Sequence, residues 1–309
     1  MRLVSYQKQG SPEVRMGFMV DDVVVDLQKA YQHFLKTVGE EKTQNEIETL
    51  LPADPSSFYT LGMDAINRAR DAHAHSQVQG KEANSFHRKD VILKTPNPNP
   101  SKIICVGKNY AEHAAEMQSN VPDYPVLFAK FTNSLIGPED AIVKPEATEK
   151  LDYEVELTIV IGEEASRVSR KDALNYIAGY TIGNDTSARD LQKRTPQWLQ
   201  GKTLDNSTPI GPWVVTSDEV GDPNDLSVRS FVNGEKRQAS HTSKLIFDVR
   251  YLIEFISNLM TLKPGDIIMT GTPNGVGFAM DPPQFLQDGD KVTLEIDKIG
   301  QMENMIVKR

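Results

Sequence analysis

An α+β fold, dominated by antiparallel strands and led by a small α/β domain, is what this 309-residue sequence predicts. Three observations point there. Short apolar, β-branched runs recur through the last two thirds of the chain, whereas stretches with helical periodicity are few. Strand-like and helix-like runs do not alternate regularly, which argues against a doubly wound parallel sheet. Finally, Thr95-Pro96-Asn97-Pro98-Asn99-Pro100 can continue neither a helix nor a central strand, and so separates residues 1–95 from residues 101–309.

In the leading part, Val14–Val20 and Val23–Leu27 read as two strands around the turn Asp21-Asp22. Residues 27–38 and 61–75 read as helices, and the stretch from His75 to Lys89 is polar and weakly patterned. Beyond the proline segment, strands are expected at Lys102–Val106, Tyr153–Ile161, Ala178–Gly183, Trp213–Thr216, Asp266–Thr270 and Lys291–Ile296. One helix is expected after Ser169, where Ser169-Arg170-Lys171-Asp172 resembles a capping box, and another over Ser243–Leu259.

The formal net charge is -9 and no basic block occurs, which argues against nucleic-acid binding through phosphates and against a polybasic membrane-surface patch. No apolar run approaches the ~18 residues that span a bilayer. The N-terminus MRLVSYQKQGSPE has no apolar core of a signal peptide. The single cysteine, Cys105 in Ile103-Ile104-Cys105-Val106, permits no intrachain disulfide and reads as a small buried hydrophobe. Together these fit a cytoplasmic protein.

Carboxylates carry the chemical signal. In Leu151–Ile161, Tyr153, Val155, Leu157, Ile159 and Ile161 fall on one strand face, and Asp152, Glu154, Glu156 and Thr158 on the other. Glu154 and Glu156 would repel each other there, and a hard divalent cation would turn that repulsion into attraction. An exposed polar strand face is the plain alternative. Asp185 stands where the strand ending in Gly183 gives way to Asn184–Gln192, as a third ligand or as the N-cap of a following helix.

His113 and Glu116 fall three apart if Ala111 onward is helical, so that a carboxylate would orient an imidazole as a general base; a surface ion pair reads equally well. Lys130, Arg189 and Lys202 are candidate cations for an anionic substrate, though each alone could be a solvated side chain. In Thr270–Gly277, a glycine-rich loop after a strand, backbone N–H groups could face a ligand. Gly201-Lys202-Thr203 does not end a P-loop, because Pro196 occupies the position of that motif's first glycine.

The order of these segments resembles the fumarylacetoacetate hydrolase family over residues 101–309. The resemblance is carried by Gly107–Met117, Asp152–Leu157, Asn184–Gln192, Gln200–Thr203 and Gly265–Pro273. It implies a β-rich mixed-sheet roll, a homodimer, and a Mg²⁺ or Mn²⁺ ion held by Glu154, Glu156 and Asp185. His113 and Glu116 match the lid dyad of the acylpyruvate-hydrolase and oxaloacetate-decarboxylase branch. Arg189, Gln192, Lys202 and Thr272 match substrate-contacting positions, with Lys202 steadying an oxyanion, and Lys130 matches a frequent lysine. One departure is Thr186-Ser187 before Ala188-Arg189, where relatives often have Thr next to the alanine.

The implied activity is metal-dependent C–C cleavage of small anionic 2-oxo or 1,3-dicarbonyl acids through a metal-bound enolate, by hydrolysis or decarboxylation. Isomerisation of 2-hydroxyhepta-2,4-diene-1,7-dioate is the alternative within the family. A non-catalytic scaffold that kept the fold is the alternative of another class, against which the complete acidic triad argues.

Overall fold

The computed structural model describes residues 1–79 and 85–309, so part of the weakly patterned stretch, residues 80–84, lies outside the described residues. The leading segment supplies strands β1 (Arg2–Lys8), β2 (Val14–Val20), β3 (Val23–Asp26), β4 (Ser85–His87) and β5 (Val91–Lys94). Its helices are α1 (Leu27–Thr37), α2 (Gln44–Leu50), α3 (Pro55–Thr60) and α4 (Met63–Gln79). There follow β6 (Ile103–Gly107), α5 (Ala111–Glu116), β7 (Val126–Lys130), β8 (Leu135–Ile136), β9 (Ile142–Lys144), β10 (Leu151–Asp152) and β11 (Val155–Ile161). Next are β12 (Ile177–Asn184), β13 (Ser187–Ala188), α6 (Arg189–Gln192), α7 (Leu199–Lys202), β14 (Thr208–Thr216) and α8 (Ser217–Val220). The chain ends with β15 (Ser227–Val232), β16 (Glu235–His241), α9 (Val249–Leu259), β17 (Ile267–Met269), β18 (Lys291–Ile296) and β19 (Gly300–Lys308).

Twelve strands form one sheet with the path β4-β3-β2-β1-β14-β12-β11-β17-β6-β7, to which β5 and β8 attach at β1 and β14. A second sheet runs β16-β15-β18-β19-β9, and β10 pairs with β13. Pairing is mostly antiparallel, with parallel contacts at β14–β8, β17–β6 and β19–β9. The α+β, mixed-sheet expectation therefore holds, and neither sheet closes into a barrel. The main apolar core lies between the two sheets and under α9, where Leu157, Ile159 and Ile161 meet Leu252, Ile256, Leu294 and Ile296. A second core covers the other side of the large sheet, where Phe58, Ile66 and Ala69 of the leading helices meet Val160, Ala178 and Val214. All seven residues of β11 are consequently buried, and the exposed polar face that its alternation allowed does not exist.

Several element boundaries differ from expectation for local reasons. Leu27 is helical because the Asp26 side chain accepts the Lys29 N–H and caps α1. Two helices unforeseen in the sequence are both capped, α2 by the Thr43–Glu46 capping box and α3 by Asp54. No α-helix follows Ser169. Its hydroxyl donates to the Asp172 carboxylate rather than capping a backbone N–H, the Arg170 amide is taken by Glu254, and only a 3-10 turn at Ala173–Tyr176 precedes β12. The helix expected from Ser243 starts at Val249, because Asp248 accepts the Tyr251 N–H as N-cap while Leu245 bridges to Tyr110. No helix among the described residues is long and apolar enough to cross a membrane.

Asn109, fully buried at the end of β6, fastens the frame around the acidic strands. Its Nδ2 donates to the carbonyls of Phe247 and Thr270 at 3.0 and 2.7 Å, and its Oδ1 accepts the Phe247 N–H at 2.8 Å. Asn109→Ala would strand three buried backbone groups. Unfolding by urea should show a loss of about 2–4 kcal/mol, whereas a fall below about 1 kcal/mol would mean that water or a shifted neighbour replaces those bonds.

Candidate metal centre

The acidic side chains are brought together by the way two neighbouring strands end. Between β10 and β11 the chain leaves the ladder at Tyr153-Glu154. There the Glu154 amide donates to Asn184 Oδ1 at 3.0 Å, and the Asp185 amide donates to the Glu154 carbonyl at 3.0 Å. One step along, Glu156 pairs with Gly183 of β12. A Cβ at Gly183 would stand 2.5 Å from Thr158 Oγ1 and 2.6 Å from Met269 Cε, so the strand stays this close only because residue 183 lacks a side chain. Glu154, Glu156 and Asp185 are all buried, and one carboxylate oxygen of each lies within 4.8 Å of the others. Asp185 is not a helix cap; α6 starts after Ala188.

Three buried cations face these acids. Lys130 Nζ donates to Asp185 Oδ1 at 2.7 Å, and Lys202 Nζ bridges Asp185 Oδ2 and Glu154 Oε2 at 2.5 and 2.8 Å. Arg189 Nη2 lies 2.7 Å from Glu154 Oε1, close enough to pair but not aligned as a hydrogen bond. Burial raises the Glu154 carboxyl, yet Lys202, Arg189 and His113 outweigh it and hold the group well below the usual carboxylate range. Burial likewise opposes the Lys202 charge, and Asp185 and Glu154 still raise its ammonium above the usual lysine range.

Glu156 is different. Its Oε2 accepts one backbone N–H, from Gly271 at 2.8 Å, and no cation pairs with it among the described residues. Burial first, then Asp185 and Glu154, push its carboxyl well above the ordinary value. The protein's own cations thus leave the third carboxylate uncompensated. A hard divalent ion taking one oxygen from each acid would compensate it, and an all-carboxylate donor set suits Mg²⁺ or Mn²⁺ rather than a softer metal. The residues present fit such an ion.

Of the remaining expected residues, His113, Arg189, Gln192, Lys202 and Thr272 line one cavity together with the triad. His113 stands on α5, its Nδ1 3.1 Å from Glu116 Oε2, while Glu116 Oε1 accepts the Gly275 N–H at 2.8 Å. This pair is largely buried and its His113 lines the cavity, unlike a surface ion pair. Gln192 Oε1 accepts from Arg189 Nη1, and Thr272 Oγ1 accepts from Gln238 Nε2. Lys130 reaches the centre only through Asp185 and Thr186 and does not line the cavity.

Amides of the glycine-rich loop serve a purpose not foreseen in the sequence. Gly271 holds Glu156, Gly275 holds Glu116, and Gly277 and Phe278 both donate to Asp152. Asp152 in turn accepts Arg189 Nε at 2.9 Å and so sets the guanidinium against Glu154. Sequence reasoning left Asp152 out of the site, although it shares the alternation of Glu154 and Glu156. Trp198 and Phe128, which wall the cavity edge-to-face with ring centroids 5.3 Å apart, carried no sequence signal at all. Cys105 is fully buried, as its apolar surroundings suggested.

The chain is similar in sequence and fold to known proteins. The chain is similar to oxaloacetate tautomerase YisK of Bacillus subtilis, at 42% identity over 94% of this chain and 95% of that protein. It is 38% identical to the mitochondrial oxaloacetate tautomerase fahd2 of Xenopus laevis, over 99% of this chain and 90% of that one. Among solved structures, maleylpyruvate hydrolase from Sphingobium sp. SYK-6, in complex with manganese and pyruvate, superposes with a TM-score of 0.76 at 29% identity, covering 100% of this chain and 99% of that one. The family described as fumarylacetoacetate (FAA) hydrolase, C-terminal, matches residues 102–307. With the fold, the acidic cluster and these similarities in agreement, the chain belongs to the fumarylacetoacetate hydrolase family.

Proposed function

We propose that the protein is a Mg²⁺- or Mn²⁺-dependent enzyme that moves a proton between the enol and keto forms of oxaloacetate or a closely similar 2-oxo acid. The observation that carries this reading is the convergence of the buried Glu154–Glu156–Asp185 triad and the His113–Glu116 dyad on one cavity. Near end-to-end similarity to two oxaloacetate tautomerases supports this choice of reaction. A divalent ion on the triad would supply Lewis acidity that weakens the C–H bonds beside the keto group.

The chain's own residues supply the rest. Gly275 fixes Glu116, Glu116 fixes the His113 ring, and the ring is then poised to give or take the proton at the carbon next to the keto group. Lys202, kept charged by Asp185 and Glu154, donates to the oxygen on which negative charge develops. Phe128 and Trp198 exclude bulk water from one side.

Hydrolysis or decarboxylation, expected from the sequence, is the second reading. It is favoured by the structural similarity to a maleylpyruvate hydrolase and by the suitability of the same dyad for activating water. Purified protein with Mg²⁺ or Mn²⁺, given the enol of oxaloacetate, should speed the decay of its ultraviolet absorbance without releasing CO₂. Release of CO₂, or cleavage of acetylpyruvate or maleylpyruvate at a higher kcat/KM, would transfer the assignment to the second reading. His113→Ala should lower kcat by about 10²–10⁴ with metal binding intact, and an unchanged kcat would remove the dyad from the mechanism.

Glu156 yields a prediction of stability. Its folded-state pKa is raised, so its contribution to stability is complete below its ordinary value of 4.5 and is lost as pH rises through the folded value. In chelator-treated protein at pH 7–8, Glu156→Gln should therefore raise Tm relative to the wild type. Added Mn²⁺ should stabilise the wild type by about 2.7 kcal/mol at a hundredfold excess over its Kd and leave the variant unmoved. A metal-free variant less stable than the wild type would refute this account of Glu156.

A further inference from the structure

We infer that Lys108 reads the far carboxylate of the substrate and makes the site selective for dicarboxylic over monocarboxylic 2-oxo acids. The inference deepens the proposed function, because it rests on the triad taking the 2-oxo acid end.

Three Lys or Arg side chains line the cavity: Lys108, Arg189 and Lys202. Two are committed. Arg189 is held by Asp152, Glu154 and Gln192, and Lys202 by Glu154 and Asp185. Lys108 has no hydrogen-bonded or ion-paired partner among the described residues, and it is half-buried rather than free on the surface. Of the three, it is the one whose charge is shared with no acid among the described residues and can be given wholly to a ligand. In a chain of net charge -9, an anion with two carboxylates needs such a local group at each end.

The backbone holds this lysine deliberately in place. Lys108 has φ 57°, a left-handed conformation that costs a residue with a Cβ about 1 kcal/mol. Its neighbours over-determine that conformation. Gly107 ends β6 against Trp198, where a Cβ would overlap the indole, and Asn109 is locked by its three buried hydrogen bonds. The side chain thus leaves the main chain between two immobile residues, at a cavity that His113 and Met117 also line. A position fixed in this way differs from a solvated lysine on a loop: the entropy of ordering the backbone is already met before a ligand arrives.

The test uses Mg²⁺-loaded full-length protein and follows tryptophan fluorescence, to which Trp198 in the cavity wall contributes. Oxaloacetate and 2-oxobutanoate, both four carbons long, differ in the far carboxylate, and oxalate probes the metal end alone. Wild type should bind oxaloacetate more tightly than 2-oxobutanoate. K108M should weaken oxaloacetate at least about tenfold and change 2-oxobutanoate and oxalate less than about twofold, with K108R retaining most of the preference. Equal loss for all three ligands, or no loss for oxaloacetate, overturns the inference while leaving the proposed function intact. Failure of the wild type to bind oxalate would instead overturn the reading of the triad, and this inference with it.

Discussion

Four carboxylates, Asp152, Glu154, Glu156 and Asp185, are buried together, and among the described residues three buried cations, Lys130, Arg189 and Lys202, stand against them. Removing one charge of such a cluster from water is worth several kcal/mol against folding, so each must be matched by geometry. The rest of the architecture around the cavity answers that demand. Strands β11 and β12 end in register so that their acids meet, Gly183 lets them approach, and the loop after β17 turns four amides toward carboxylates. That loop needs its glycines: Gly271 and Gly275 have φ near 100°, and a Cβ on Gly277 would overlap the Gln284 carbonyl.

The imbalance is where function enters. Glu154 and Asp185 are satisfied by ammonium and guanidinium groups, whereas Glu156 has a single amide. A fully neutralised cluster would be a structural ion network with no reason to bind a further cation. One positive charge short of neutrality, the same cluster gains from a divalent ion, and Lys202, already spanning two of the acids, stands beside any ligand that ion would hold. Stability without metal and affinity for metal therefore pull in opposite directions at one residue.

The acidic triad was legible because its signal is local. Glu154 and Glu156 break the expectation that strands avoid glutamate, and Asp185 ends a strand of small and apolar residues. Lys130, Arg189 and Lys202 were legible from the residues only as candidate cations, and the resemblance alone tied them to one site, since they approach from three different elements and no spacing relates them. Capping motifs show the limit most clearly. Thr43-x-x-Glu46 makes the full reciprocal cap within a polar stretch, while Ser169-x-x-Asp172 has a similar spelling but pairs side chain with side chain, and its Asp172 N–H goes to the Ser169 carbonyl in a tight turn. The motif states what a residue can bond, and the local backbone turn decides whether it does.

The same distinction bears on reaction choice. The triad, Lys202 and the dyad suit any chemistry that develops charge on a 2-oxo acid, so they cannot separate a tautomerase from a hydrolase. Hydrolysis requires a water between His113 and a distal carbonyl; tautomerisation requires that place to be dry and the ring to reach a carbon. What differs is therefore the wall rather than the centre: Trp198 packed on Gly107 and edge-to-face with Phe128, together with Met117 and Lys108. Apolar rings together with a lysine in that wall, unpartnered among the described residues, favour a short, doubly charged ligand held at both ends over an attacking water. Selection among reactions is in this view a property of how the far end of the substrate is held, with the acidic cluster supplying the reactivity common to all of them.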